Sequence, residues 1–306
     1  MPVRFYFFFL FFTFLFLFYP GASFYYDLFA HNGSSFSEKI VPQHIKIHDI
    51  PIITSTATPS ASAQGIYIAD LPSFTPVYSL NPHQKRYPAS TTKVISALVT
   101  LDLYKPDDVI TVKDATAEGQ IMGLIRGEKI TVENILYGML VHSGNDAAYA
   151  IANYYGYDKF IQKMNEKAQE LGMKNSYFVN PAGLDADEQV STPFDLALAG
   201  RTLLQNSYLR KIVGTKEIII SDVDYKIFHK LTNVNKLLGE IQGLGGLKTG
   251  YTEQAGENLI SFYKANNREY IVVVMKSEDR FEDTSAIVTW INRYVNYVTP
   301  PSSLVE

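Results

Sequence analysis

Ser90 and Lys93 are the residues whose types and spacing first suggest chemistry. Three apart on a helix, they share one face, a turn from each other. A serine hydroxyl is a weak nucleophile until a base takes its proton. Lysine can be that base only where its ammonium form is destabilised. The first turn of a helix destabilises it, because its unpaired N–H groups carry partial positive charge. The same field favours the oxyanion that forms when a serine oxygen attacks a carbonyl. Pro88-Ala89, just before Ser90, would fix the helix entry. Taken alone, this spacing also describes a helix-capping serine followed by a solvated lysine.

Two further stretches add to it. Ser143-Gly144-Asn145 lies between two helical runs, and a Ser and an Asn flanking a Gly in a tight turn can both point into one cavity. Ser143 could there relay a proton between a lysine and a leaving amine, and Asn145 could hold a substrate amide. Lys248-Thr249-Gly250 falls in a strand-like run, where Lys248 and Gly250 share one face and Thr249 points the other way. Gly250 has no side chain, so a substrate backbone could approach there. Each stretch alone has a plain structural reading: a turn with its cap, and a basic edge strand.

The elements that must position these groups follow from the pattern. Residues 65–71 and 76–81 read as two strands joined across Pro72-Ser73-Phe74-Thr75. Helices are expected over 90–103, over 131–140, over 146–154 and over 158–171, the last stopped by Gly172. Thr192-Pro193-Phe194-Asp195 opens another, with a capping Thr and Pro at the first helical position. Residues 216–221 and 224–229 read as a hairpin about Asp222-Val223. Strands follow over 246–252, 258–264 and 269–276, the last two joined at Asn266-Asn267, and an amphipathic helix over 284–297 carries the single Trp290. Strands first and last with helices between predict an α+β fold, an antiparallel sheet built from both ends of the domain with a helical region inserted.

Composition bounds the rest. With 306 residues the chain can bury a large core, and a net charge of −4 without a basic stripe argues against nucleic acid as a partner. The absence of cysteine excludes a disulfide framework, a thiol nucleophile and a thiolate metal site. The six histidines show no ligand spacing, so no metal and no cofactor is expected. Arg4 precedes a run of apolar residues over 5–19, the form of an export signal, with Gly21-Ala22-Ser23 as a cleavage site. If uncleaved and continued past Pro20, the run approaches the length of a membrane anchor. Residues 31–63, rich in Ser, Thr, Pro and Ala, read as a linker, with extended pairing possible over 45–53.

The three stretches occur together and in order, a combination found in penicillin-binding proteins and class A β-lactamases, here with S-G-N in place of S-D-N. Their flanks, YPASTTKVISALVTL, LVHSGNDAA, FVNPAGLD and GLKTGYTEQAGENLI, narrow the match. The chain resembles the D-alanyl-D-alanine carboxypeptidase family of low-molecular-weight penicillin-binding proteins, serine peptidase family S11, over roughly 64–297. The resemblance implies a serine β-lactamase/D,D-peptidase-like fold and removal or exchange of the terminal D-alanine of peptidoglycan stem peptides. Carried over by motif, Ser90 forms the acyl-enzyme, Lys93 is the general base, and Ser143 passes the proton toward the leaving group with Lys248 in support. Asn145 orients the substrate amide, Lys248 and Thr249 meet the terminal carboxylate, and Gly250 lines the site. The N–H groups of Ser90 and Tyr251 form the oxyanion hole. Arg280 also meets the substrate carboxylate. β-Lactams are then covalent inhibitors, and the site faces the cell envelope.

The same residues would serve a D,D-endopeptidase that cuts cross-links. A β-lactamase needs a Glu-activated water, and Glu188 lacks the Asn partner of an E-x-x-x-N motif. A penicillin-binding sensor would acylate without turnover. His142 and the pair Asp185 and Asp187 are expected to be structural. Many members of the family continue into a β-rich domain and a membrane helix; here the sequence stops shortly after the last predicted helix, so attachment would fall to the N-terminus. The expected organisation is a signal or anchor over 1–30, a linker over 31–63, a catalytic domain over 64–298 and a tail over 299–306.

Overall fold

The computed structural model describes residues 3–18, 49–115 and 117–300. Residues Val3–Phe18 form helix α1, whose described side chains are exposed. Among the described residues no helix is long and apolar enough to cross a membrane. The expected cleavage site at 21–23, the linker as far as residue 48 and most of the tail lie outside the described residues.

The second unit holds everything else, and its centre is a five-stranded antiparallel sheet. Its strands are β2 (Gly65–Asp70), β3 (Pro76–Leu80), β8 (Leu244–Thr252), β9 (Gly256–Ala265) and β10 (Arg268–Ser277), in the order β3-β2-β10-β9-β8. The two ends of the domain thus meet where β2 pairs with β10, Ile68 opposite Val272. Both faces of the sheet are covered, which explains why β2 is buried at every position rather than at alternate ones. Ile66, Ile68, Val272 and Val274 pack on one side against α8 (Arg280–Tyr294) through Ile287, Val288, Trp290 and Ile291. Each such side chain contributes about 1.5–3 kcal/mol by leaving water. Tyr67, Ala69, Ile271 and Val273 join the larger core on the other side.

That larger core is made with the inserted helices: α2 (Lys93–Leu103), α3 (Val132–Leu140), α4 (Asn145–Tyr155), α5 (Tyr157–Glu170), α6 (Pro193–Gln205) and α7 (Ser207–Val213). Local signals place them as the sequence suggested. The Thr131 side chain caps α3, Gly172 takes a left-handed φ of 77° just after α5, and the Thr192 hydroxyl accepts from Asp195 N with Pro193 at the first helical position. Asn266 and Asn267 both adopt positive φ, as the tight β9–β10 turn requires.

Several boundaries differ from the sequence expectation. The helix expected at Ser90 is first a 3₁₀ turn over Ala89–Thr92, and α2 proper begins at Lys93. The hairpin pairs β6 (Glu217–Ser221) with β7 (Phe228–Thr232), not with 224–229. Asp222 accepts from the N–H groups of Lys226 and Ile227, which makes the turn longer. Helix α8 starts at 280 rather than 284, because Asp279 caps it through Phe281 N and Glu282 N. It ends at Tyr294, where the chain extends into β11 (Val295–Val298). Strand β11 pairs with β1 (Ile50–Ile53), and farther on Trp290 Nε1 donates to Ala57 O while Asp283 accepts from Ser62 and Ala63. The second half of the Ser/Thr/Pro-rich segment is therefore laid along the domain. A short pair, β4 (Val109–Thr111) with β5 (Lys129–Thr131), brackets the 112–128 segment.

Candidate active site

The turn that carries Ser90 is tightly packed. Ala89 takes a left-handed φ of 49°, unusual for a residue with a side chain, and the Thr91 hydroxyl donates to Pro88 O at 2.6 Å. On one side lies the Pro181-Ala182-Gly183 loop. A Cβ on Gly183 would lie 1.8 Å from Ala89 O, so only glycine fits there. On the other side lies β8, where a Cβ on Gly250 would lie 2.9 Å from Ser90 N. The missing side chain at Gly250 thus admits the Ser90 turn, where the sequence reading had invoked a substrate backbone.

Lys93 is completely buried, with three oxygens around its amine: Ser90 Oγ at 2.7 Å, Asn145 Oδ1 at 2.6 Å and Ala182 O at 2.8 Å. Two of these are carbonyls, which can only accept. A neutral amine has two hydrogens and one lone pair. With its hydrogens spent on Asn145 and Ala182, the lone pair is left for the Ser90 hydroxyl. Burial pulls the Lys93 pKa down to about 7, against a smaller opposing pull from Asp146. The neutral form is thereby available near neutral pH, as a base requires.

Ser143 and Asn145 stand opposite. Ser143 takes a left-handed φ of 63°, and Lys248 Nζ donates to its Oγ at 2.9 Å. The Asn145 amide is fixed at both ends: Oδ1 accepts from Lys93, and Nδ2 donates to Glu118 O. Beneath it the buried carboxylate of Asp146 accepts from Met122 N, Gly123 N, Leu124 N and Ala147 N, at 2.8–3.0 Å. Asp146 therefore ties the 118–124 segment to the start of α4.

Lys248 is buried beside two other cations. Its pKa is pushed well below that of an ordinary lysine by burial first, then by Lys93 and Arg280. Its other hydrogen bond goes to Thr249 O at 2.8 Å. Thr249 is buried next to it, while Tyr251 is 60 % exposed at the rim. Arg280 is not a solvated end-of-strand residue: its side chain is 14 % exposed, and Nη1 donates to Gly250 O at 2.9 Å. Burial lowers its pKa, and Glu257 lies 3.7 Å from its Nε.

Ser90, Lys93, Ser143, Asn145 and Lys248 are thus linked by hydrogen bonds, and Gly250 and Arg280 adjoin them through β8. His142 stands apart, with Nε2 2.8 Å from Gln120 Nε2 and Nδ1 3.3 Å from Thr232 O. Asp185 accepts from the Thr252 hydroxyl and so joins the loop after Gly183 to the end of β8. Among the described residues no group of three or more His, Asp or Glu could hold a metal ion. The sequence reading missed Ala182, whose role belongs to its backbone carbonyl, and Asp146, whose signal was its place directly after Asn145.

Comparison with known proteins identifies the family. A family model described as D-alanyl-D-alanine carboxypeptidase, Peptidase_S11, matches residues 52–279. The D-alanyl-D-alanine carboxypeptidase DacF of Bacillus subtilis is 33% identical over 236 residues, 74% of this chain and 60% of DacF. DacC of Escherichia coli is 32% identical over 263 residues, 79% of this chain and 64% of DacC. The chain thus spans about three fifths of the length of these relatives. The crystal structure of the Streptomyces K15 DD-transpeptidase superposes with a TM-score of 0.72 at 30% identity, covering 76% of this chain and 98% of that one. The D-alanyl-D-alanine carboxypeptidase DacD of Francisella tularensis gives 0.73 at 26% identity, over 79% of this chain and 73% of its own. The chain belongs to the peptidase S11 family, that of the D-alanyl-D-alanine carboxypeptidases.

Proposed function

We propose that this chain is a serine D,D-carboxypeptidase that removes the terminal D-alanine from peptidoglycan stem peptides through an acyl-enzyme on Ser90. The observation that carries the reading is the buried Lys93 amine, 2.7 Å from Ser90 Oγ and with its pKa pulled down to about 7. Neutral Lys93 takes the Ser90 proton as Oγ attacks the carbonyl of the penultimate D-alanine. Donors aimed at the oxyanion, here the N–H groups of Ser90 and Tyr251, typically supply about 2.7–4 kcal/mol each. The proton passes through Ser143, backed by Lys248, to the leaving amine, and D-alanine departs. Water then enters, gives its proton to the same base and releases the shortened peptide. Asn145 holds the base and presents its amide to the substrate.

Charge supports a carboxylate-ended substrate. Lys93, Lys248 and Arg280 are buried together; burial lowers the Lys248 pKa most, and a smaller part of the shift is repulsion by Lys93 and Arg280. A terminal carboxylate against Lys248, Thr249 and Arg280 relieves it. β-Lactams would acylate the same serine. Extracytoplasmic placement fits this substrate, and residues 1–30 act in this reading as an export signal or as a membrane anchor.

Release of D-alanine from a synthetic pentapeptide ending in D-Ala-D-Ala tests the reading. The 306-residue chain should release it and Ser90→Ala should not. Cleavage only of cross-linked dimers would replace it with an endopeptidase.

A further inference from the structure

The 112–128 segment borders the site without regular structure of its own. Between β4 and β5 its described residues form no helix or strand, and Gly119, Gly123 and Gly127 take left-handed φ values of 78–88°. Its backbone groups must therefore be met by side chains and by neighbouring backbone. Four buried residues do most of this. Asn145 N donates to Gln120 O at 2.7 Å, and Asn145 Nδ2 donates to Glu118 O. Asp146 holds the N–H groups of Met122, Gly123 and Leu124. Glu128 Oε2 accepts from Ile125 N at 3.0 Å. The fourth is His229 of β7, whose Nδ1 lies 3.2 Å from Met122 O. Met122 is thus clamped from α4 through its N–H and from the β6–β7 hairpin through its C=O.

The partners of His229 fix its protons. Met122 O can only accept, so Nδ1 carries a hydrogen. Glu128 Oε1, 2.7 Å from Nε2, accepts a second one when its carboxyl is ionised. The buried ring is then an imidazolium, paired with Glu128 from the start of β5 and attracted by Asp146 from the start of α4. Glu128→Gln changes this charge without changing the contacts. A Gln amide donates to Nε2 and accepts from Ile125 N, and the neutral ring keeps its Nδ1–H on Met122 O. The bond to Met122 is therefore separable from the charge.

Principles of reach connect His229 to Lys93 without a break. His229 fixes the carbonyl of Met122. Two residues back, Gln120 O takes the Asn145 N–H, and two further back Glu118 O takes the Asn145 amide. The other end of that amide, Oδ1, accepts from Lys93 Nζ at 2.6 Å.

We propose that His229 is a positioning residue for acylation at Ser90: by holding Met122 O it sets the 118–122 backbone, and through it the Asn145 amide that accepts from Lys93. The proposal rests on the Ser90 reading above. It adds a residue whose own hydrogen bonds go to Met122 and Glu128.

Acylation by a penicillin tests it, read as an observed rate constant, which does not depend on how much of the sample is folded. Three forms of the 306-residue chain are compared: unaltered, Glu128→Gln, and Glu128→Gln/His229→Phe. The last removes the donor to Met122 O without leaving Glu128 as an unpaired buried charge. Glu128→Gln should acylate within about twofold of the unaltered chain although it is less stable, and the double variant about tenfold more slowly than Glu128→Gln. Built into Asn145→Ala, the ratio between the same two forms should fall close to one, because the residue through which His229 acts is gone. Glu128→Gln/His229→Leu, with a smaller side chain, repeats the comparison where the Phe ring prevents folding. Equal rates in Glu128→Gln and the double variant would overturn the proposal. A gap of about tenfold that persists without Asn145 would also overturn it, since a general loosening of the fold gives that result. So would a loss in Glu128→Gln as large as in the double variant, because the charge and not the Met122 bond would then matter. In each of these cases the unaltered chain still acylates and the reading of Ser90 stands. An unaltered chain that gains no acyl group would remove that reading, and the positioning role with it.

Discussion

Asn145 Oδ1 lies 2.6 Å from Lys93 Nζ, and Asn145 Nδ2 donates to Glu118 O, so one amide joins Lys93 to the segment that borders the site. Asn145→Ala removes an acceptor that keeps the Lys93 lone pair on Ser90. The acylation rate by penicillin should fall about 10²–10³-fold, as for loss of other preorganised groups. Stopped-flow acylation at pH 8 checks it, with a thermal melt to show that the variant is folded.

Lys93 must be neutral to accept a proton. Because burial pulls its pKa down to about 7, the acylation rate should rise with pH through about 7 and level above it. Lys93→Arg keeps a charge at every accessible pH, so it should lose about 10²–10⁴-fold in rate without recovering at high pH. A rate profile from pH 5 to 9, about two units either side of the Lys93 value, separates these outcomes.

At Gly250 the crowding is with the turn that carries Ser90. A methyl group there would meet Ser90 N at 2.9 Å, Ala89 Cβ at 3.0 Å and Pro88 O at 3.1 Å. Gly250→Ala should push β8 and the turn apart by a few tenths of an ångström. The expected result is a loss of acylation of about 10²-fold from a displacement far smaller than the substrate, with a stability loss of about 1–3 kcal/mol. Chemical denaturation and acylation kinetics on the same sample measure the two effects.

A buried ion pair supports the far side of the 118–128 segment. His229 Nε2 lies 2.7 Å from Glu128 Oε1, and its Nδ1 lies 3.2 Å from Met122 O. The hydrogen bond to Glu128 raises the His229 pKa, against the desolvation that opposes it. A raised histidine contributes its stability fully below the unfolded value near 6.5 and loses it as pH rises through the folded value. Glu128→Gln should therefore cost about 3 kcal/mol near pH 6, and the gap to the unaltered chain should narrow as pH rises. Thermal melts across that range check the sign.

The parts of this molecule that announce themselves in sequence are those with short-range causes. Thr192 caps a helix through a residue three away, Asn266-Asn267 turns a hairpin, and Ser90 and Lys93 meet because a helical turn brings them together. Ser143 and Lys248 could be nominated only because three motifs occurred in order. What escaped has long-range or backbone causes. Extended pairing was legible over 45–53, but its partner, Val295–Val298, has no local signal, and neither has the bond from Trp290 to Ala57 O. The Lys93 environment depends on the carbonyl of Ala182, which any residue could offer in type and only this loop offers in place. Gly250 was singled out for a substrate backbone, and the Ser90 turn is what packs against it, because a sequence shows that space is needed without showing what fills it.

The central claim is that Ser90 is the nucleophile, and one measurement bears on it most directly. The 306-residue chain and its Ser90→Ala variant are incubated with a labelled penicillin, and the mass of the intact protein is followed over time. A single stable adduct that maps to Ser90 and is absent from the variant is the predicted result. A folded chain that gains no mass, or a Ser90→Ala variant that gains the same mass, would contradict the account.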